Sequence, residues 1–155
     1  FLGIIYVGTF GSYVGLLREL PSGAFWVFVL LAMTWLGDTF AYFAGHKFGK
    51  HRLAPLISPG KTWEGTIGGG VLTLASSYIV YGWFPEIAFV HWFLIAALVI
   101  VFGTLGDLFE SLLKRQAGIK DSGKIMPGHG GILDRFDSLI FVTPFVYLYL
   151  NWVLS

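Results

Sequence analysis

Apolar residues run along this chain in long blocks, separated by short polar links and two longer polar stretches. Five blocks cover about 1–17, 24–45, 67–84, 88–109 and 136–154. Each approaches the roughly 20 residues that cross a bilayer as a helix. The pattern predicts an all-α polytopic bundle of about five spans, forming a single transmembrane domain over 1–155. The links Arg18–Gly23 and Pro85–Ile87 are short, which makes the helices they join antiparallel neighbours. The stretches at about 46–66 and 110–135 then emerge on one side of the membrane.

Composition supports the block reading. Hydrophobic residues make up 55% of the chain and charged residues 12%, where an average soluble protein carries roughly 25% charged residues. A soluble domain is therefore excluded. The absence of cysteine excludes disulfides and thiolate metal sites. The chain opens at Phe1 inside an apolar run, with no basic leader before it, and is expected to be the C-terminal part of a longer membrane protein.

Charge placement gives an orientation. Lys47, Lys50, Arg52 and Lys61 fall in the first long stretch, and Lys114, Arg115, Lys120, Lys124 and Arg135 in the second. Only Arg18, of ten Lys and Arg residues, falls on the other side. The positive-inside rule makes the rich side cytoplasmic, as expected for a multi-pass protein of a cell inner or plasma membrane. Topology alone would account for these charges, but not for the acidic and glycine residues among them. Trp26, Trp83, Trp92 and Trp152 fall near the opposite ends of their blocks and read as interfacial anchors.

The acidic residues point to chemistry. Gly37-Asp38-Thr39-Phe40 is echoed by Gly106-Asp107-Leu108-Phe109. A lone carboxylate at the depth of Asp38 is costly unless paired, hydrated or bound to a cation. Asp134 and Asp137 are spaced i, i+3 and share a helix face. Asp107, Asp134 and Asp137 together would repel one another unless a hard cation such as Mg²⁺ took oxygen ligands from them. Lys114, Arg115, Lys120 and Lys124 suit phosphates. Glu110 and Lys114, at i, i+4, read as a helix-surface ion pair. His129 is the alternative metal ligand, but between glycines it reads as shaping a turn or touching a phosphate.

Ser58-Pro59-Gly60-Lys61-Thr62-Trp63-Glu64-Gly65 leads into a Gly-rich helix start. It is not a P-loop, because Pro55 stands where that motif needs glycine. A basic loop entering a helix N-terminus still offers N–H groups and a positive dipole to an anion, with Lys61 adding a point charge. The glycines could instead serve only helix packing. Gly11-x-x-x-Gly15 and Gly65-x-x-x-Gly69 allow close helix approach, within the chain or between two copies in a homodimer.

Residues 111–137 resemble the signature of the phosphatidate cytidylyltransferase (CDP-diacylglycerol synthase) family. Ser111, Lys114, Arg115, Lys120, Asp121, Gly123, Pro127, His129, Gly130, Gly131, Asp134, Arg135 and Asp137 fit it at fixed spacing. The loop Ser58–Gly65 is similar to a second family segment, with Gly60 where many members carry a second lysine. The resemblance covers essentially the whole chain. It implies transfer of a cytidylyl group from CTP to phosphatidic acid, giving CDP-diacylglycerol and pyrophosphate in phospholipid biosynthesis. Asp107, Lys114, Arg115, Asp134 and Asp137 would be catalytic, with Asp107, Asp134 and Asp137 holding Mg²⁺. Ser58, Lys61, Thr62, Lys120, His129, Arg135 and Asp38 would bind substrate. A second cation would suit an in-line displacement. CTP and membrane phosphatidic acid are the expected partners, and no nucleic acid is expected.

Two other classes remain open on the residues alone. A cation-coupled transporter would use Asp38 and Asp107 for its driving ion, but leaves the loop before Asp134 unexplained. A purely structural membrane subunit leaves Asp38 unexplained.

Overall fold

The computed structural model describes residues 2–119 and 133–154. Lys120, Asp121, Gly123, Lys124, Pro127, His129, Gly130 and Gly131 lie outside the described residues, and so does the side chain of Arg135.

The first apolar block forms one helical rod. It begins as α1 (Leu2–Ile5), widens into a π-helical turn at Tyr6–Phe10, and continues as α2 (Gly11–Glu19). Backbone angles stay helical through both junctions. A tight turn follows, with Ser22 left-handed at φ 56°. A side chain at Gly23 would collide with the Arg18 carbonyl, so this reversal needs glycine. Helix α3 (Gly23–Phe48) then runs for 26 residues.

The first long polar stretch holds two short strands, β1 (Arg52–Ala54) and β2 (Ser58–Thr62), paired antiparallel. Arg52 stands opposite Thr62 and Ala54 opposite Ser58, with an irregularity between these pairs. This short hairpin is an addition to the expected helical bundle, and the described residues remain mostly helical. Helix α4 (Trp63–Trp83) follows directly, then α5 (Phe89–Gln116) and α6 (Leu133–Leu154). Pro144 lies inside α6, where it cannot donate to the helix ladder.

Among the described residues, three helices are long and apolar enough to cross a membrane: Gly23–Phe48, Phe89–Gln116 and Phe136–Leu154. The molecule is thus a mostly helical integral membrane protein with three candidate spans among the described residues, where the apolar blocks predict five. Helix α4 has the length, but Gly, Ser and Thr residues dilute its apolar character.

The hydrophobic core lies between α2, α3, α5 and α6. Leu17, Leu30, Met33, Ile95, Val142, Val146 and Leu150 are buried there. Trp26 and Trp92 are buried as well, with ring centroids 5.3 Å apart. These two are core residues and not interfacial anchors: each sits early in its helix, where α3 and α5 face each other. Trp83 and Trp152 are about three-quarters exposed, in keeping with the anchor reading.

The small-residue pairs divide. Gly65 and Gly69 pack α4 onto α3, where an added Cβ would lie 2.7 Å from the Ala41 and Gly37 carbonyl oxygens respectively. Gly11 and Gly15 meet nothing within 4 Å.

Candidate active site

A cavity of about 700 Å³ opens between α3, the hairpin, α4, α5 and α6. Its position follows from helix crossings made close by glycine. Gly37 of α3 lies against α4 at Thr73, and an added Cβ would be 2.7 Å from the threonine hydroxyl. Gly106 of α5 lies against α6 at Phe141, with a Cβ–Cβ distance of 2.5 Å for an added methyl. In each case the next residue is an aspartate that lines the cavity: Asp38 after Gly37, Asp107 after Gly106. The repeated Gly-Asp pattern therefore has one physical meaning at both places. Glycine brings two helices together, and the following carboxylate is delivered to the space beside the crossing.

The i, i+3 pair behaves as its spacing predicts. Asp134 and Asp137 both line the cavity from the first turns of α6. Asp137 is buried, and its Oδ1 accepts from the Ser138 amide at 2.6 Å. The Tyr6 hydroxyl donates to the Asp137 carbonyl oxygen at 2.8 Å, so the π-helical turn of the N-terminal rod pins the start of α6.

Lysines meet these carboxylates. The Lys61 ammonium, on β2, is ion-paired with Asp107 on α5. The Lys114 ammonium lies 2.9 Å from Asp134 and 2.5 Å from Glu110. The Ser111 hydroxyl is 3.5 Å from the other Asp107 oxygen, at the outer limit of a hydrogen bond. Asp38 faces the charges of Asp107 and Lys61 across the cavity.

The hairpin sets one wall, with Ser58, Lys61 and Thr62 all lining the cavity. Thr62 is also the N-cap of α4, its hydroxyl accepting from the Gly65 amide at 3.1 Å. The Trp63 amide donates to the His51 carbonyl at 3.0 Å. Two amides at this helix start are thus used within the chain, which narrows the anion-binding surface expected from a free N-terminus. Glu64 in the same turn accepts from the His51 backbone amide at 3.2 Å, and its carboxylate lies 2.6 Å from the His51 ring nitrogen. The hydrogen bonds from His51 hold the Glu64 carboxyl well below its ordinary 4.5, at about 2.

The structure brings Asp38, Ser58, Lys61, Thr62, Asp107, Lys114, Asp134 and Asp137 around one cavity. Arg115 is placed elsewhere. It is exposed, and its Nε donates to the Ile57 carbonyl at 3.3 Å, fastening the end of α5 to the hairpin turn. Lys120 and His129 lie outside the described residues, and Arg135 falls in the first turn of α6. His46 and Arg52 also line the cavity. Neither stands out in the sequence as a chemical group, because each reads there as an ordinary charge at the end of a span.

The donor chemistry suits a hard divalent cation: carboxylates lining one cavity, with no thiolate among them. Among the described residues, no three carboxylate or imidazole groups stand close enough together to hold a metal as they are placed. The positive charge that Asp107 and Asp134 require is supplied by Lys61 and Lys114.

Residues 1–153 match the family model described as "Cytidylyltransferase family". The chain is similar to the phosphatidate cytidylyltransferase of Bacillus subtilis (strain 168), 47% identical over 152 residues, covering 96% of this chain and 56% of that protein. It is similar also to the phosphatidate cytidylyltransferase of Staphylococcus haemolyticus (44% identical over 151 residues, 96% of this chain and 57% of the relative). The protein of the same name from Thermotoga maritima is 44% identical over 154 residues, covering 95% of this chain and 56% of its own length. The chain spans about half the length of the curated relatives it matches. With the family model matched over nearly its whole length, the chain belongs to the cytidylyltransferase family.

Proposed function

We propose that this chain carries the site at which a cytidylyl group passes from CTP to phosphatidic acid, giving CDP-diacylglycerol and pyrophosphate. The observation that supports it most is the meeting of Asp38, Asp107, Asp134 and Asp137 with Lys61 and Lys114 around one cavity. Such a mixed lining suits a polyanion bound together with a cation, and the similarity to phosphatidate cytidylyltransferases names the substrates.

The nucleophile is a phosphate oxygen of phosphatidic acid. A phosphate monoester has its second pKa near 6 and is largely dianionic at pH 7, so no protein base is required. That oxygen forms a bond to the α-phosphorus of CTP. The bond from the α-phosphorus to the oxygen bridging to the β-phosphate breaks, and pyrophosphate leaves. The chain's residues then contribute position and charge. Lys61 and Lys114 hold phosphate oxygens. Ser58, Thr62 and Asp38 border the same space. On the family resemblance, Arg115, Lys120, His129 and Arg135 join the substrate contacts.

Asp107, Asp134 and Asp137 would hold Mg²⁺ once a cation drew them together, and a second cation belongs to the same reading. A bound cation would neutralise charge on the reacting phosphates. In this reading α4 and the N-terminal rod cross the bilayer beside the three candidate spans. The hairpin and the α5–α6 connection face the cytoplasm, where CTP is found. A homodimer is compatible with this arrangement.

The test is pyrophosphate release by the full chain in detergent, given CTP and phosphatidic acid, with and without Mg²⁺. Release that needs all three components is expected. A chain that moves a cation across vesicles without consuming nucleotide would return the reading to a transporter, and one that binds neither substrate would overturn cytidylyl transfer.

A further inference from the structure

Glu110 lies one helical turn before Lys114 on α5. Its spacing alone predicts a solvated surface pair, yet its side chain is only 2% exposed. Lys114 borders the cavity, but Glu110 is not part of the cavity wall. The lysine ammonium is held between two carboxylates: Glu110 at 2.5 Å from its own helix, and Asp134 at 2.9 Å from α6.

The two carboxylates differ in access. Asp134 shares the cavity with Lys114, so an incoming phosphate or cation can reach it. Glu110 is buried and does not line the cavity, so such a ligand does not reach it. A carboxylate this deeply buried is costly to ionise without a partner, and Lys114 supplies the opposite charge at contact distance. Lys114 therefore has one partner that a ligand can replace and one that it cannot.

We propose that Glu110 is a positioning residue that anchors Lys114 from behind the cavity, so that Lys114 exchanges Asp134 for a substrate phosphate while staying in place. This rests on the cytidylyl-transfer reading above. Without Glu110, Lys114 would have Asp134 as its nearby acidic partner and would be drawn toward α6. It would then release Asp134 less readily and meet the phosphate less often.

The test is a double-mutant cycle in the full chain: Glu110→Gln, Lys114→Met and the pair, read by CTP- and phosphatidic-acid-dependent turnover and by equilibrium CTP binding. Glu110→Gln is expected to lower kcat/KM by about tenfold to a hundredfold, with weaker CTP binding. In the Lys114→Met background the same change should alter either readout by less than about twofold, because the residue it acts through is gone. General damage to the fold would lower kcat alike in both backgrounds and leave CTP affinity unchanged. If Glu110→Gln does not fold, Glu110→Asp takes its place, keeping the charge but shortening the reach. An equal loss in both backgrounds, or wild-type kinetics and CTP binding in the Glu110 variant, would overturn the proposal while leaving cytidylyl transfer intact. A wild-type chain that turns over no CTP would sink the activity and this inference together.

Discussion

The Lys61 ammonium on β2 is ion-paired with the Asp107 carboxylate on α5, so the hairpin is fastened to the helix that supplies part of the cavity's acidic lining. Arg115 adds a second fastening through the Ile57 carbonyl. The two contacts hold the hairpin at both ends, one inside the cavity and one outside it.

Replacing Lys61 by alanine should mainly affect nucleotide binding. An apparent KM for CTP raised by about tenfold, with a smaller change in kcat, is the expected pattern for a lost phosphate contact. Steady-state kinetics with CTP varied at fixed phosphatidic acid will show it. A change in kcat alone would place Lys61 away from the nucleotide.

Asp137→Asn keeps the side chain's size and removes its charge. It should abolish Mg²⁺-dependent turnover, and Asp107→Asn and Asp134→Asn should do the same. Thermal unfolding should stay close to wild type, because the amide oxygen of the substituted side chain can still accept from the Ser138 amide. Near-normal turnover in Asp137→Asn would remove that residue from the proposed cation ligands.

Gly106→Ala tests how the acidic wall is delivered. The added methyl would lie 2.5 Å from the Phe141 Cβ, so α5 and α6 must separate or shift. Overpacking of this kind costs about 1–3 kcal/mol. Activity should fall further than this loss of stability explains, since Asp107 follows directly and would move with the helix. Unchanged activity with unchanged melting would show that the crossing has slack.

The Glu64–His51 contact makes a prediction about pH. His51 lowers the folded-state pKa of Glu64 from 4.5 to about 2. The contact therefore contributes fully to hairpin stability above about pH 4.5 and is lost as pH falls toward 2. Trp63, half exposed beside Glu64, is a suitable reporter: its fluorescence should change across that window in the wild type. Glu64→Gln should remove this acid transition, and its persistence in that variant would assign it to another group.

What can be read from the sequence depends on the range of the contacts involved. The i, i+3 spacing of Asp134 and Asp137 is a property of one helix, and both residues line the cavity as that spacing predicts. The apolar blocks likewise locate α3, α5 and α6. The hairpin is hidden because its strands are three and five residues long and lack an alternating pattern. The Glu110–Lys114 spacing is visible, but its burial is not, since that depends on how α6 packs. Trp26 and Trp92 show the same gap: their positions along their helices suggest the membrane interface, whereas the faces they occupy turn inward against each other.

The wide turn at Tyr6–Phe10 sets a phase. A π-helical turn acts as one residue added to an α-helix, and each α-helical residue advances by about 100°. The turn therefore decides which way Tyr6 points relative to α2, and Tyr6 is the residue whose hydroxyl reaches the Asp137 carbonyl. Deleting one residue here would leave a regular α-helix of nearly the same length and apolar character, yet would rotate everything before it by more than a quarter turn. The rod thus works as a key: its contact with the acidic wall depends on the rotational setting of its residues.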